Sequence, residues 1–231
     1  MFLDPVQSYD NVYWAFKEID ENAHTTVIRF YEEQKEHIMK LDFDENFEMQ
    51  IVYANALFET GKYYKHLAIC DKIIEASIEY NIKYHRGEDI FYTTLFKKAV
   101  SYFNIGNLAS SRHILSELIK LDPKDKFTIG FYKKCKRCDL PAYVKNARAI
   151  GILIFLISAM VIGFELLLFR PFYPEIYNKV WVIRTYFIGF GILTILLSDI
   201  YYRWDIKKEI EIIAKRGLKN LAPLLFISFR P

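Results

Sequence analysis

Three cysteines, seven prolines and nine glycines are all that 231 residues contain. Cys70, Cys135 and Cys138 are too few for a disulfide framework. With so few breakers the chain keeps long uninterrupted stretches, and no strand-like alternation persists in them. Met1 to Asp10 has neither a basic start nor an apolar core, so it does not read as a secretory signal, and the N-terminal part is expected to stay on the side where it is made. An excess of one charge is missing too. Lys and Arg number 31 against 28 Asp and Glu, a balance that gives no strong nucleic-acid signal.

Catalytic motifs are also lacking. The five histidines, at 24, 37, 66, 85 and 113, form no HExxH pattern. There is no phosphate-binding glycine loop, GxSxG elbow or dinucleotide fingerprint. The expectation is a protein that is not an enzyme, with no cofactor and no metal. The acidic stretch Asp42 to Glu48 resembles a calcium loop only superficially. Phe47 stands at the sixth position, where glycine makes the turn, and Tyr53 at the twelfth, where Glu chelates. It reads instead as a linker and acidic helix start, favoured by the helix dipole. Cys135 and Cys138 form a lone CxxC with no second pair and no nearby His, so they read as ordinary helix residues.

What is present is an apolar run from Ala149 to Phe169. Of its 21 residues, 14 are Leu, Ile, Phe or Val, and Glu165 is its one charge. About 20 apolar residues span a bilayer core as helix. Insertion gains about 4 to 8 kcal/mol, against a cost of at most about 3 kcal/mol for Glu165. A second run covers Val182 to Tyr202, with Arg184 near its start and Asp199 near its end. Between them Arg170 to Lys179 carries prolines and aromatics suited to an interface. The flanks hold seven Lys/Arg over 126–148 and six over 203–219, against two in the loop. Positive flanks stay inside, so a two-pass hairpin with both termini cytoplasmic is expected.

Counting 1.5 Å per residue puts Glu165 and Arg184 about 3 Å apart in depth. They are expected to pair between the spans or across the subunits of a homo-oligomer. Ala159 and Gly163 make a small-xxx-small step of the kind that admits close helix packing. In the tail, Ile206, Ile210 and Ile213 recur at helical spacing, which suits an amphipathic helix on the inner leaflet. Leu221 to Phe229 is apolar but too short to span.

Ahead of the spans, residues 1–59 hold 4 basic and 13 acidic side chains, and residues 60–143 hold 15 and 9. Apolar residues fall at helical spacing, as in Val12, Phe16 and Ile19, and again in Val27, Phe30 or Tyr31, and Ile38. Two segments share a plan: Tyr53 to Tyr64 and Lys98 to Leu108 each read as a helix closed by glycine, Gly61 or Gly106, with another helix following at once. From Tyr92 to Lys126 the pattern sharpens: Leu95, Ala99, Tyr102, Gly106, Leu108, Ser111, Leu115, Leu118, then Leu121-Asp122-Pro123. This stretch resembles the tetratricopeptide repeat (TPR) family. Departures are Lys98 where leucine is usual, His66 where alanine is usual, and turn glycines 45 residues apart where the repeat has about 34.

The fold class expected is all-α. TPR-like stacked hairpins fill 1–143, with helix pairs near 11–40, 47–82 and 89–121 and a capping helix over 125–138. A transmembrane hairpin fills 144–202, with spans about 149–169 and 182–202, and an amphipathic cytosolic tail fills 203–231. The resemblance implies a concave surface that binds a peptide or helix of another protein. Its first helices would present Asn55, Lys62, Lys98, Ser101 and Asn104. The function expected is a membrane-anchored adaptor that recruits a protein partner to the cytoplasmic face of the bilayer. The alternative is a small oligomeric pore or membrane sensor regulated by the helical domain. Only Ser158, Thr185, Thr194 and Ser198 add polarity to the end charges of the spans, which favours the anchor.

Overall fold

The computed structural model of this chain describes residues 12–169 and 174–227, with side chains over 12–167 and 180–217. The readings made on Met1–Asp10, on the loop at 170–173 and on the side chains of Leu221–Phe229 lie outside the described residues. The chain is helical and divides into two compact units between Cys135 and Lys136.

The first unit begins with a helical turn at 12–17. It continues through α1 (His24–Glu33), the short α2 (Lys35–Ile38), α3 (Phe43–Glu59), α4 (Tyr63–Glu79), α5 (Ile90–Asn104), α6 (Leu108–Leu121) and most of α7 (Lys126–Cys138), whose last residues from Lys136 on belong to the second unit. α1 packs on α3, α3 on α4, α4 on α5 and α5 on α6. The result is a row of stacked helices. One core joins Val27, Ile28, Ile38, Met49, Leu57 and Ile73. Stacked rings of Tyr31 and Tyr53, 4.0 Å apart, tie α1 to α3. In the next pair, Ala99 and Ser111 are fully buried beside Leu115 and Leu118. Small side chains let the helices approach, and the leucines fill the space beside them.

Two glycines make the hairpins. Gly61 has φ +73° and Gly106 φ +82°, a left-handed conformation that costs glycine nothing. Each turn closes with a backbone bond reaching back over the helix end, Lys62 N to Leu57 O and Asn107 N to Tyr102 O, both 2.9 Å. α4 ends the same way at Asn81, with φ 52°.

The chain between the two pairs is longer than the usual repeat allows. It holds a small hairpin, β1 (Tyr84–His85) with β2 (Glu88–Asp89). Arg86 and Gly87 both have positive φ, as a two-residue primed turn requires. Two-residue strands are too short to show alternation, so only Gly87 signalled it. Asp89 then caps α5, its carboxylate accepting from Tyr92 N at 2.8 Å.

The second unit is a hairpin of two long helices. α8 (Ala142–Phe164) runs on into a π-helical turn, Glu165–Phe169, and α9 covers Pro174–Ile227. Ala142–Leu167 and Val180–Gly217 are both long and apolar enough to cross a membrane. Their outward side chains, Leu153, Leu156, Met160, Leu193, Leu196 and Leu197 among them, are more than half exposed. A soluble monomer rarely exposes so continuous an apolar belt.

The two helices pack closely at Gly151 and Gly191. A Cβ at Gly151 would lie 2.6 Å from the Ile195 side chain, and one at Gly191 3.2 Å from Ile154. The Ala159–Gly163 step is not that contact, since a Cβ at Gly163 meets nothing within 4 Å. Spacing identifies a stripe of small residues but not the face it occupies. The tail also differs from expectation. Nothing between Tyr202 and Arg216 breaks a helix, so α9 continues through it, and Ile206 and Ile210 are buried. The third residue of that stripe, Ile213, is half-buried.

Candidate functional site

α3 and α5 are the first helices of successive pairs. Between them, α1 and the small hairpin lies a cleft of about 300 Å³. Ile51, Val52 and Ile90 form its apolar floor, and Asn55, Thr93, Thr94 and Lys97 project from the two helices. His24 and Glu21 contribute from one end, and His85, Arg86 and Glu88 from the hairpin. Lys97 Nζ donates to Asn55 Oδ1 at 2.7 Å, which fixes the amide and leaves its NH₂ as a donor. His24 Nδ1 and His85 Nε2 are buried and have no hydrogen-bond partner among the described residues. Buried polar atoms in native proteins are ordinarily satisfied, so these two call for a ligand atom or a water.

The hairpin wall is held from behind. Arg86 donates to Glu21 at 2.6 Å and to Glu48 at 3.0 Å. Glu48 also accepts from Tyr13 and Lys17, each at 2.6 Å. Burial alone would raise the Glu48 carboxyl, but the hydrogen bonds from Lys17, Tyr13 and Arg86 outweigh it and hold it down to about 2.

Of the five residues expected to line a groove, Asn55 alone lines this cleft. Lys62 and Asn104 are exposed elsewhere. Lys98 pairs with Asp71. Ser101 is fully buried, with its Oγ 2.8 Å from His66 Nδ1. On α5 the open face therefore runs through Thr93, Thr94 and Lys97, one residue round from Lys98; one residue is about 100° on a helix. The Lys97–Asn55 contact was reachable from the two first helices being neighbours. His85 and Arg86 were not, because the hairpin that carries them was not foreseen.

His66 sits between Ser101 and the Cys70 thiol, which is 3.3 Å from its Nε2. The trio resembles a nucleophile constellation but is electrically the reverse. Burial, with Lys97 adding to it, holds the His66 ring down to about 4. Burial pushes the Cys70 thiol up to about 12. Both groups stay neutral, whereas an activated thiol needs its anion. The cluster satisfies polar groups in the α4–α5 interface. Cys135 is likewise buried, 3.4 Å from Ser111 Oγ, while Cys138 is exposed.

In the hairpin unit, Arg184 Nη1 donates to Glu165 Oε2 at 2.6 Å. The Glu165 side chain is only 3% exposed. Both charges come from one chain, so their pairing does not require a second copy. At the other end of the hairpin Arg148 Nη2 donates to Asp199 Oδ1 at 2.9 Å. Each end of the helix pair is thus fixed by an ion pair. No protein-family model, curated protein or solved structure matches this chain.

Proposed function

We propose that the chain is a membrane-anchored, TPR-like adaptor whose cleft takes an extended segment of a protein partner. The observation that carries this reading is the polar-walled cleft itself. Its apolar floor suits a side chain, and the free amide of Asn55 with two threonine hydroxyls suits a peptide backbone, which offers donors and acceptors in alternation. The glycine-closed helix pairs at Gly61 and Gly106 support the family likeness. The exposed apolar belt of α8 and α9 supports the anchor, with both termini on the cytoplasmic side.

Site-specific photo-crosslinking in native membranes tests it. A crosslinker at Thr94, inside the cleft, should capture a discrete protein that one at exposed His113 does not, and Lys97→Glu should abolish that capture. Equal capture from both positions, or capture indifferent to Lys97→Glu, would refute the cleft as the docking site.

A further inference from the structure

The second unit carries a pocket that the adaptor role does not use. It has a volume of about 160 Å³ and lies where the two long helices meet the end of α7. Arg137, Arg148 and Arg203 line it with Asp199, Tyr202 and Leu140. The lining thus holds three arginines and one carboxylate, and that carboxylate is engaged by Arg148. Arg137 and Arg203 form no ion pair among the described residues, so two positive charges are left over.

Depth is fixed by the sequence around it. Arg148 immediately precedes the first apolar run, and Arg203 immediately follows the second. Aromatic residues cluster at the same end: Tyr143 lies 6.0 Å from Tyr201 and 6.4 Å from Tyr202, and Tyr201 lies 6.3 Å from Trp204. Such residues gather at the headgroup level of a bilayer. Tyr202 is buried, and its hydroxyl donates to the Lys136 carbonyl, which fixes the end of α7 to α9. Lys136 also pairs with Glu209 at 2.8 Å. The pocket is thereby braced by side chains other than its own arginines.

We propose that this pocket binds the headgroup of a phospholipid carrying a phosphomonoester. The inference rests on reading α8 and α9 as membrane spans. A planar guanidinium fork matches phosphate oxygens in pairs, and two spare positive charges match a monoester, which carries nearly two negative ones at neutral pH. A diester headgroup carries only one. Basic pockets beside the ends of transmembrane helices hold such headgroups in general. The Arg148–Asp199 pair holds one fork in place before a ligand arrives.

The test uses full-length protein in nanodiscs of phosphatidylcholine doped with either phosphatidic acid or phosphatidylglycerol, and counts lipid retained after transfer to native mass spectrometry. Phosphatidic acid should be retained in preference, and Arg203→Ala and Arg137→Ala should each weaken that retention about tenfold. Neither substitution leaves a carboxylate without its partner, so circular dichroism should be unchanged. Arg203→Lys, which keeps charge and loses the fork, should erase the preference for the monoester. Equal retention of the two lipids would overturn the proposal in favour of general attraction to anionic surfaces. Displacement of the lipid by millimolar inorganic phosphate would overturn it in favour of a free-phosphate site. Failure to enter nanodiscs of any composition would instead refute the spans themselves.

Discussion

Burial keeps the His66 ring neutral down to about pH 4, whereas the unfolded chain protonates it near 6.5. The sign follows directly. Between those values the unfolded state binds a proton that the folded state refuses. The stability is full above about 6.5 and falls as pH drops toward 4, by up to about 3 kcal/mol. Glu48 acts in a lower window: held down to about 2, it contributes fully above 4.5 and is lost as pH falls below that. Denaturant unfolding of the full chain at pH 7 and pH 5 should therefore show a drop that His66→Gln largely removes. A drop of the same size in that variant would place the acid sensitivity elsewhere. None of this was legible in the sequence, where His66 is visible only as a misfit to the alanine position. Cys70 lies one turn on in the same helix, but Ser101, which closes the other side of the ring, comes from a helix 35 residues further along the chain.

The elements follow from local rules more closely than the contacts between them do. Helix ends at Gly61 and Gly106 are written in the chain because only glycine enters a left-handed turn freely. Gly106→Ala should cost about 1–2 kcal/mol by backbone strain alone, since a Cβ there meets nothing within 4 Å. Denaturant midpoints can check that value. The Glu165–Arg184 contact was legible too, because depth in an antiparallel hairpin is a matter of counting residues. Which glycines face the partner helix was not, because rotation about the helix axis depends on packing that spacing alone leaves open. Gly151→Val should force Ile195 aside and separate α8 from α9, costing about 2 kcal/mol, while Gly163→Val should be near neutral. Thermal stability in detergent distinguishes them; equal losses would contradict the observed face. The cleft was half legible for the same reason: the helices bearing it follow from spacing, but which residues of α5 line it, Thr93, Thr94 and Lys97, depends on rotation about the helix axis, and the Arg86 wall depends on a hairpin that spacing does not show.

At the scale of the whole molecule, charge and hydropathy divide the chain in the same order. The first 59 residues are acidic, the stretch leading to α8 is basic, and the belt that follows is apolar. A basic approach is drawn toward the anionic inner leaflet and resists translocation, so it and the basic tail should remain on the cytoplasmic side together. The protein carries its own reporter for this. Cys70 and Cys135 are buried and Cys138 alone is exposed. An impermeant maleimide should label one thiol per native chain, and only from the cytoplasmic face of sealed vesicles. In a Cys138→Ser background, Asn178→Cys, near the start of α9, should label only from the opposite face. The two labels must appear on opposite sides if α8 and α9 cross the bilayer. Labelling of both from the cytoplasmic face would mean a hairpin that dips into one leaflet and returns, while labelling of Cys138 from the far face would invert the molecule and carry the cleft away from any cytosolic partner.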